Sequence, residues 1–271
     1  MDYELMMNGN IKLGQIAPDF SADTTCGKIS LDQYTGKWLV LFSHSGDFTP
    51  VCTTEMIAFS KANKYFKQLN TELLSISIDS VNSHIAWMKQ IYINTNVKVS
   101  FPMIADRSGE ISRKYGMIAS DVSKTQTVRN IYIIDDKKVI RAIFIYPINI
   151  GRFIPEILRT IEALQMTEKT GTMTPVNWIP NQDTLEKEPD TYEEMEKKYI
   201  DQNNSNDNFS NGYLNVKSNT EIKNQFDEQN FEQQIHDSKI NETVDFKKTP
   251  NPVKSTNSIN NIYNKYYGKR D

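Results

Sequence analysis

Cys52 is the residue whose neighbours most clearly equip it for chemistry. It lies in Ser43-His44-Ser45-Gly46-Asp47-Phe48-Thr49-Pro50-Val51-Cys52-Thr53-Thr54-Glu55, which leaves the apolar run WLVLFS at 38–43 and enters a helical pattern. Ligands in open α/β sheets sit beyond the carboxyl ends of strands. The N-terminus of a helix offers unpaired N–H groups and a positive dipole end, which favour an anion. A cysteine there is stabilised as thiolate, its nucleophilic form. An isolated cysteine is more often a small buried apolar residue; the strand–loop–helix setting reverses that expectation. Thr49 offers a hydroxyl as donor and acceptor three residues earlier. The backbone N–H groups of Cys52 and its neighbour can stabilise charge on a leaving atom, as an oxyanion hole does. Glu55, one turn further on, is either an acid favoured by the helix dipole or an orienting partner for a nearby cation.

The elements around this stretch read as an α/β domain. WLVLFS suits a central strand covered on both faces. LLSISI at 73–78 and FPMI at 101–104 are further strand candidates, and VRNIYII at 128–134 and VIRAIFIY at 139–146 flank a polar Asp-Asp-Lys-Lys turn as a hairpin. Helical spacing appears between them: Met56, Phe59, Ala62 and Phe66 within 53–66, and His84, Trp87, Met88 and Ile91 within 84–92. A short helix at 108–115 ends at Gly116, a C-cap residue, and Ile154, Ile157, Leu158, Ile161 and Leu164 form a last apolar stripe. The order β-α-β-α-β-α-β-β-α predicts a three-layer α/β fold.

Composition excludes several classes. The 271 residues carry Lys+Arg 31 against Asp+Glu 34, a net charge of −3, so no global basic field exists for nucleic acid or an anionic membrane. No apolar run approaches the ~18 residues that span a bilayer, and MDYELMMNGNIKLG lacks the basic and apolar regions of a signal peptide. Two cysteines, Cys26 and Cys52, exclude a disulfide framework and point to a soluble, cytoplasmic protein. Cys26, in Asp23-Thr24-Thr25-Cys26-Gly27-Lys28, falls in a turn between short strands and reads as an ordinary residue. Nothing places it within the ~7 Å of Cys52 that a disulfide requires. His44 is a lone histidine of the loop, His84 lies on a predicted helix face and His236 far downstream. No cysteine or histidine cluster completes four ligands, so a structural zinc site is rejected. Neither a Walker loop nor a Gly-x-Gly-x-x-Gly fingerprint occurs. Beyond Met166 the apolar periodicity fades. Residues 170–196 contain Pro175, Trp178, Pro180 and Pro189 and then an acidic segment, which fits a small second unit or an arm that packs on something else, while residues 200–271 are dominated by Asn, Gln, Lys and Ser. Such a tail cannot bury enough surface to offset its ordering entropy, so disorder is expected there.

The stretch Thr49-Pro50-Val51-Cys52-Thr53-Thr54-Glu55, preceded by Ser43-His44 and Asp47-Phe48, resembles the peroxidatic site of peroxiredoxins, above all the one-cysteine subfamily. The family motif is Pro-x-x-x-(Thr/Ser)-x-x-Cys; Thr49 and Cys52 match it, and Ser45 stands where the family has proline. The resemblance extends over about residues 10–195, through Pro18-Asp19-Phe20, Pro102, Ile104-Ala105-Asp106, Tyr115-Gly116, Thr127-Val128-Arg129, Gly151-Arg152, Thr174-Pro175 and Asn177-Trp178.

It implies a thioredoxin-like domain at 10–167, a dimerisation arm at 168–199 and the Asn-rich tail at 200–271. It also implies a thiol-dependent peroxidase for hydrogen peroxide and small organic hydroperoxides, with no metal or other cofactor. Cys52, Thr49 and Arg129 are then catalytic, Arg129 as partner of the thiolate, with His44, Pro50, Glu55 and Arg152 supporting the pocket. Since no cysteine follows Cys52, the sulfenic acid is expected to be reduced by an external thiol of the glutathione or thioredoxin type. A homodimer, or a ring of dimers, is implied as the assembly. Two other classes stand beside this one. A general thiol–disulfide oxidoreductase would need a Cys-x-x-Cys pair, which Val51 and Thr53 deny. A non-enzymatic chaperone-like ring or interaction scaffold would use the same fold without its sulfur. Phospholipase activity, known among one-cysteine relatives, would need a Gly-x-Ser-x-Gly elbow, which is absent.

Overall fold

The computed structural model describes residues 11–119, 121–123, 125–197 and 216–218. These fall into two compact units that part between Ile154 and Pro155. The first unit is built on one seven-stranded sheet. Its strands are β1 (Ser21–Thr24), β2 (Gly27–Ser30), β3 (Trp38–Ser43), β4 (Thr71–Ser77), β5 (Met103–Ala105), β6 (Arg129–Ile134) and β7 (Ile140–Tyr146), in the order β2-β1-β5-β4-β3-β6-β7. The pairs β3–β4 and β4–β5 are parallel; β1–β2, β1–β5, β3–β6 and β6–β7 are antiparallel. Helices α1 (Pro50–Gln68), α2 (Val81–Thr95) and α3 (Glu110–Lys114) lie between the strands. This is the mixed α/β order expected, with the hairpin at the sheet edge and the Cys26 turn joining β1 to β2.

Every residue of β3 is buried, and alternate residues of a strand face opposite sides, so both faces of the central strand are covered. On one face Phe42 stacks on Phe59 of α1 with ring centroids 4.1 Å apart. On the other, Leu39 and Leu41 join a core with Phe20, Leu31, Leu74, Ile111, Tyr115 and Tyr132. Sheet and helices therefore form the layers expected from the sequence.

Helix α1 begins three residues earlier than its apolar periodicity indicates. Pro50 occupies its first turn, where a missing N–H costs nothing and the fixed φ suits the helix. Gly116 has φ 62° and closes α3 with its N–H on Arg113 O at 2.9 Å, the left-handed cap foreseen.

The second unit comprises most of α4 (Ile154–Thr170), β8 (Thr184–Leu185), the short α5 (Tyr192–Met195) and β9 (Val216–Lys217), which pairs antiparallel with β8. Within it Trp178 is buried, with its indole N–H on Gln182 O at 3.1 Å. The expectation for residues 200–271 lies outside the described residues, apart from 216–218. Among the described residues no helix is long and apolar enough to cross a membrane.

Candidate active site

The site forms where β3 ends. Antiparallel pairing sets Phe42 opposite Ile131, so the start of β6 lies beside the loop that leaves β3. Two further bonds tie that corner: Asn130 N–H donates to Ser43 Oγ at 3.0 Å, and the Thr127 hydroxyl donates to His44 O at 2.6 Å. The loop then turns sharply through Phe48, which holds a left-handed φ of 60° at a cost of about 1–2 kcal/mol for a residue with a Cβ. That turn delivers Thr49 to the cap of α1. Its hydroxyl donates to Gly46 O at 2.9 Å and accepts no capping bond from a first-turn N–H. The Val51 and Cys52 N–H groups are thus left unclaimed by the cap at the helix end where an anion is favoured.

Cys52 is fully buried in that first turn. Arg129 Nη1 donates to its Sγ at 3.3 Å, and the Ser45 hydroxyl lies 3.4 Å from the same sulfur. Arg129 is itself held by Glu55 Oε2 at 2.7 Å and by Ile148 O, which accepts from Nε at 2.8 Å. Glu55 also accepts from Arg152 twice, from the backbone N–H at Oε1 (2.9 Å) and from Nη1 at Oε2 (3.1 Å). Arg152 Nη2 reaches Asn130 O at 3.0 Å and Ser43 O. The result is a buried Arg–Glu–Arg triad with one net positive charge, which a thiolate at Cys52 neutralises. Of the two sequence readings of Glu55, the geometry supports the orienting one, since its carboxylate faces the two guanidiniums.

Burial pushes the Cys52 thiol up. Hydrogen bonds from Ser45 and Thr49 and the Arg129 charge outweigh it, leaving the thiol below its ordinary range. A hydroxyl proton rotates, so Thr49 can serve either Gly46 O or the sulfur. Burial also pushes Arg152 down, to about 10, against the pull of Glu55, so it stays charged at neutral pH.

His44 does not face the sulfur through a hydrogen bond. Its Nδ1 pairs with Ser75 Oγ at 2.9 Å and its Nε2 with Asp47 Oδ1 at 3.1 Å, with Trp87 5.3 Å away ring to ring. Asp47 also meets His84 Nδ1 at 2.9 Å, while His84 Nε2 donates to Ile104 O at 3.1 Å. His44, Asp47 and His84 bring their donor atoms within 4.8 Å of one another, three groups rather than the four of a structural zinc site. They fasten the catalytic loop to β4, α2 and β5, and Asp47 N–H adds a bond to Asp79 Oδ2 at 3.0 Å. Sequence reasoning passed over Asp47 and His84 as members of the site; the signal was present, as an acid and a buried-face histidine, but 37 residues separate them. Pro50 is exposed and acts here by starting α1.

Two family models match the chain: the AhpC/TSA family over residues 13–143, and the C-terminal domain of 1-Cys peroxiredoxin over residues 163–202. Peroxiredoxin 2 of Caldanaerobacter subterraneus subsp. tengcongensis is 46% identical over 187 residues, which cover 69% of this chain and 85% of that relative. The chain belongs to the peroxiredoxins. Peroxiredoxin 2 of Sulfurisphaera tokodaii is 51% identical over 171 residues, 63% of this chain and 80% of its own. Among solved peroxiredoxin structures, a variant of peroxiredoxin 6 of Arenicola marina superposes with a TM-score of 0.64 at 34% identity, covering 69% of this chain and 89% of that one. A yeast mitochondrial 1-Cys peroxiredoxin superposes with a TM-score of 0.65 at 38% identity, covering 76% and 98%. Like other peroxiredoxins, this chain has the thioredoxin-like fold and is a thiol-dependent peroxidase.

The loop anchor should contribute a pH-dependent stability. Burial holds His44 below the usual histidine range despite its bond to Asp47. A base whose folded value is depressed stabilises the fold above its unfolded value of about 6.5, and that contribution is lost as pH falls below it. Asp47 is held below the carboxylate range, because hydrogen bonds from His44 and His84 outweigh its burial; its contribution is lost only at much lower pH. Glu162, which burial pushes up to about 8, contributes the opposite slope over the same range. The His44 contribution is therefore read as a difference: between pH 7 and pH 5 the wild type should lose stability relative to His44→Gln by up to about 1.4 kcal/mol per pH unit, seen as a lower thermal midpoint. A difference that does not change with pH would assign the titration elsewhere.

Proposed function

We propose that Cys52 carries the peroxidase reaction by a one-cysteine route, on hydrogen peroxide and small organic hydroperoxides. The observation that carries this reading is the Arg129 guanidinium donating to Cys52 Sγ at 3.3 Å in a fully buried site. The thiolate attacks the terminal oxygen of the hydroperoxide in line with the O–O bond. An S–O bond forms, the O–O bond breaks, and the leaving alkoxide or hydroxide takes a proton to become alcohol or water. The transferred oxygen keeps its hydrogen, and Cys52 becomes a sulfenic acid. Arg129 and the Val51 and Cys52 N–H groups stabilise the charge that shifts from sulfur to the departing oxygen. Thr49 orients the peroxide through its hydroxyl, and Glu55 and Arg152 hold Arg129 in place.

An external thiol then displaces water from the sulfenic acid to give a mixed disulfide, and a second thiol releases Cys52 as thiol with an external disulfide as product. Cys26, the other cysteine of the chain, is free and exposed on the β1–β2 turn. The yeast mitochondrial relative is described with a thiol resolving mechanism via glutathione/thioredoxin systems, and a reductant of that type is proposed here. Residues 10–167 form the catalytic domain in this reading, 168–199 the dimerisation arm of a homodimer or ring of dimers, and 200–271 an Asn-rich tail. Two free cysteines suit a reducing, cytoplasmic setting.

Intact mass after one equivalent of peroxide tests the route. The expected product gains one oxygen at Cys52, becomes a mixed disulfide when a small thiol is present, and leaves Cys26 unmodified in peptide maps. Loss of two hydrogens with a Cys26–Cys52 crosslink would replace the one-cysteine route by an internal one.

A further inference from the structure

We propose that Ser45 is a catalytic residue of this peroxidase: its hydroxyl donates a hydrogen bond to the Cys52 thiolate and holds the sulfur in its attacking form. Ser45 stands where the related motif has proline, a residue with no side-chain donor, so the group is a property of this chain rather than of the motif. Its Oγ lies 3.4 Å from Cys52 Sγ in a site where Ser45 is 4% exposed. The sulfur is the hydrogen-bond partner found for that hydroxyl among the described residues.

The argument rests on where the proton goes. A buried hydroxyl without a good acceptor costs free energy. A neutral thiol is a weak acceptor. If the S–H instead donates to Oγ, the serine proton has nowhere to point. When the sulfur is ionised, the serine proton points at a full negative charge and the bond is charge-assisted. Burial of Ser45 therefore favours the thiolate over the thiol. Its direction is complementary to that of Arg129, which donates from β6 at 3.3 Å, whereas Ser45 donates from the loop after β3. The lowered thiol of Cys52, to which the Ser45 bond contributes, agrees with this geometry. The other titratable groups of the site are Glu55 on α1 and Arg152, both bound into the triad with Arg129, and the His44–Asp47–His84 group of the loop anchor, whose bonds run to Ser75, Ile104 and one another. None of these donates to the sulfur. Ser45 keeps its proton through the reaction.

The inference rests on Cys52 being the attacking sulfur, and the experiment separates the two. The ionisation of Cys52 is followed by thiolate absorbance against pH in the full-length wild type, Ser45→Ala and Ser45→Pro, each with Cys26→Ser to remove the second thiol. Stopped-flow rates with hydrogen peroxide are taken across the same range. Both Ser45 variants should raise the midpoint by about one pH unit, the worth of one hydrogen bond to a charged acceptor. A thiolate that is more basic is also more nucleophilic, with a Brønsted slope of about 0.4–0.5. The rate profiles should therefore cross: about threefold slower than wild type below both midpoints, and about threefold faster above them. An unmoved midpoint would overturn the proposal. So would a deficit that persists at high pH, which would assign the hydroxyl to the peroxide rather than to the sulfur. Failure of the Cys52 reading looks different: the wild type would not oxidise at Cys52, whatever the Ser45 variants do.

Discussion

Arg129→Met should slow peroxide reduction by about a hundredfold to a thousandfold at neutral pH and raise the Cys52 thiol at the same time. The guanidinium serves the sulfur twice, as a charge and as a donor at 3.3 Å. Methionine fills most of the volume and supplies neither. The rate should recover only in part above the new midpoint, because the fraction of thiolate is restored there but the donor to the departing oxygen is not. Arg129→Lys should rescue ionisation better than turnover: an ammonium carries the charge, but it cannot span Sγ, Glu55 and Ile148 O as a planar fork does. The substitution also removes one of the two guanidiniums on a buried Glu55. Breaking a buried ion pair costs about 3–5 kcal/mol when it leaves a charge unmatched; here Arg152 remains at 3.1 Å, so the fold should lose less. Thermal midpoints measured beside the rates check that the variant is folded. Full recovery of the Arg129→Met rate at high pH would reduce the arginine to a device for ionisation alone.

The parts of this site that could be read from the chain are those whose causes are local. WLVLFS is recognisable as a buried central strand because both of its faces are apolar, and the loop after it because Gly46, Asp47 and Pro50 interrupt every periodicity. The placement of Cys52 in a first helical turn follows from the apolar spacing that starts at Met56, even though Pro50 moves the actual start of α1 outward. What depends on distant partners was not legible. The Glu55 carboxylate takes its meaning from Arg129 and Arg152, 74 and 97 residues away, and local spacing left its two roles balanced. Likewise the loop anchor joins Asp47 to His84 across 37 residues, and a histidine on a helix face carries no mark of the carboxylate it will meet. Ser45 was visible only as a missing proline; that its hydroxyl lies 3.4 Å from the sulfur required the turn through Phe48 and the closure of the β3–β6 corner.

Thr49→Val should reduce the rate with peroxide by about a hundredfold, and the deficit should persist at every pH. Valine nearly keeps the shape of threonine but has no hydroxyl. In the resting site that hydroxyl turns its proton to Gly46 O at 2.9 Å or to the sulfur, and its lone pairs are free to accept from an incoming peroxide O–H. Such a bond aligns the O–O axis with the sulfur only when substrate is present. Its loss is therefore a loss of substrate alignment in the transition state, and a hundredfold in rate corresponds to about 3 kcal/mol. Any contribution of Thr49 to thiolate stability is removed by working well above the Cys52 midpoint, where wild type and variant are equally ionised. Thr49→Ser, which keeps the hydroxyl and drops the methyl group, should restore most of the rate and separates chemistry from loop geometry. The three side chains around the sulfur are then told apart by pH alone: crossing profiles for Ser45→Ala, partial recovery for Arg129→Met and no recovery for Thr49→Val. Complete recovery of Thr49→Val at high pH would mean that its hydroxyl acts on ionisation and not on the peroxide.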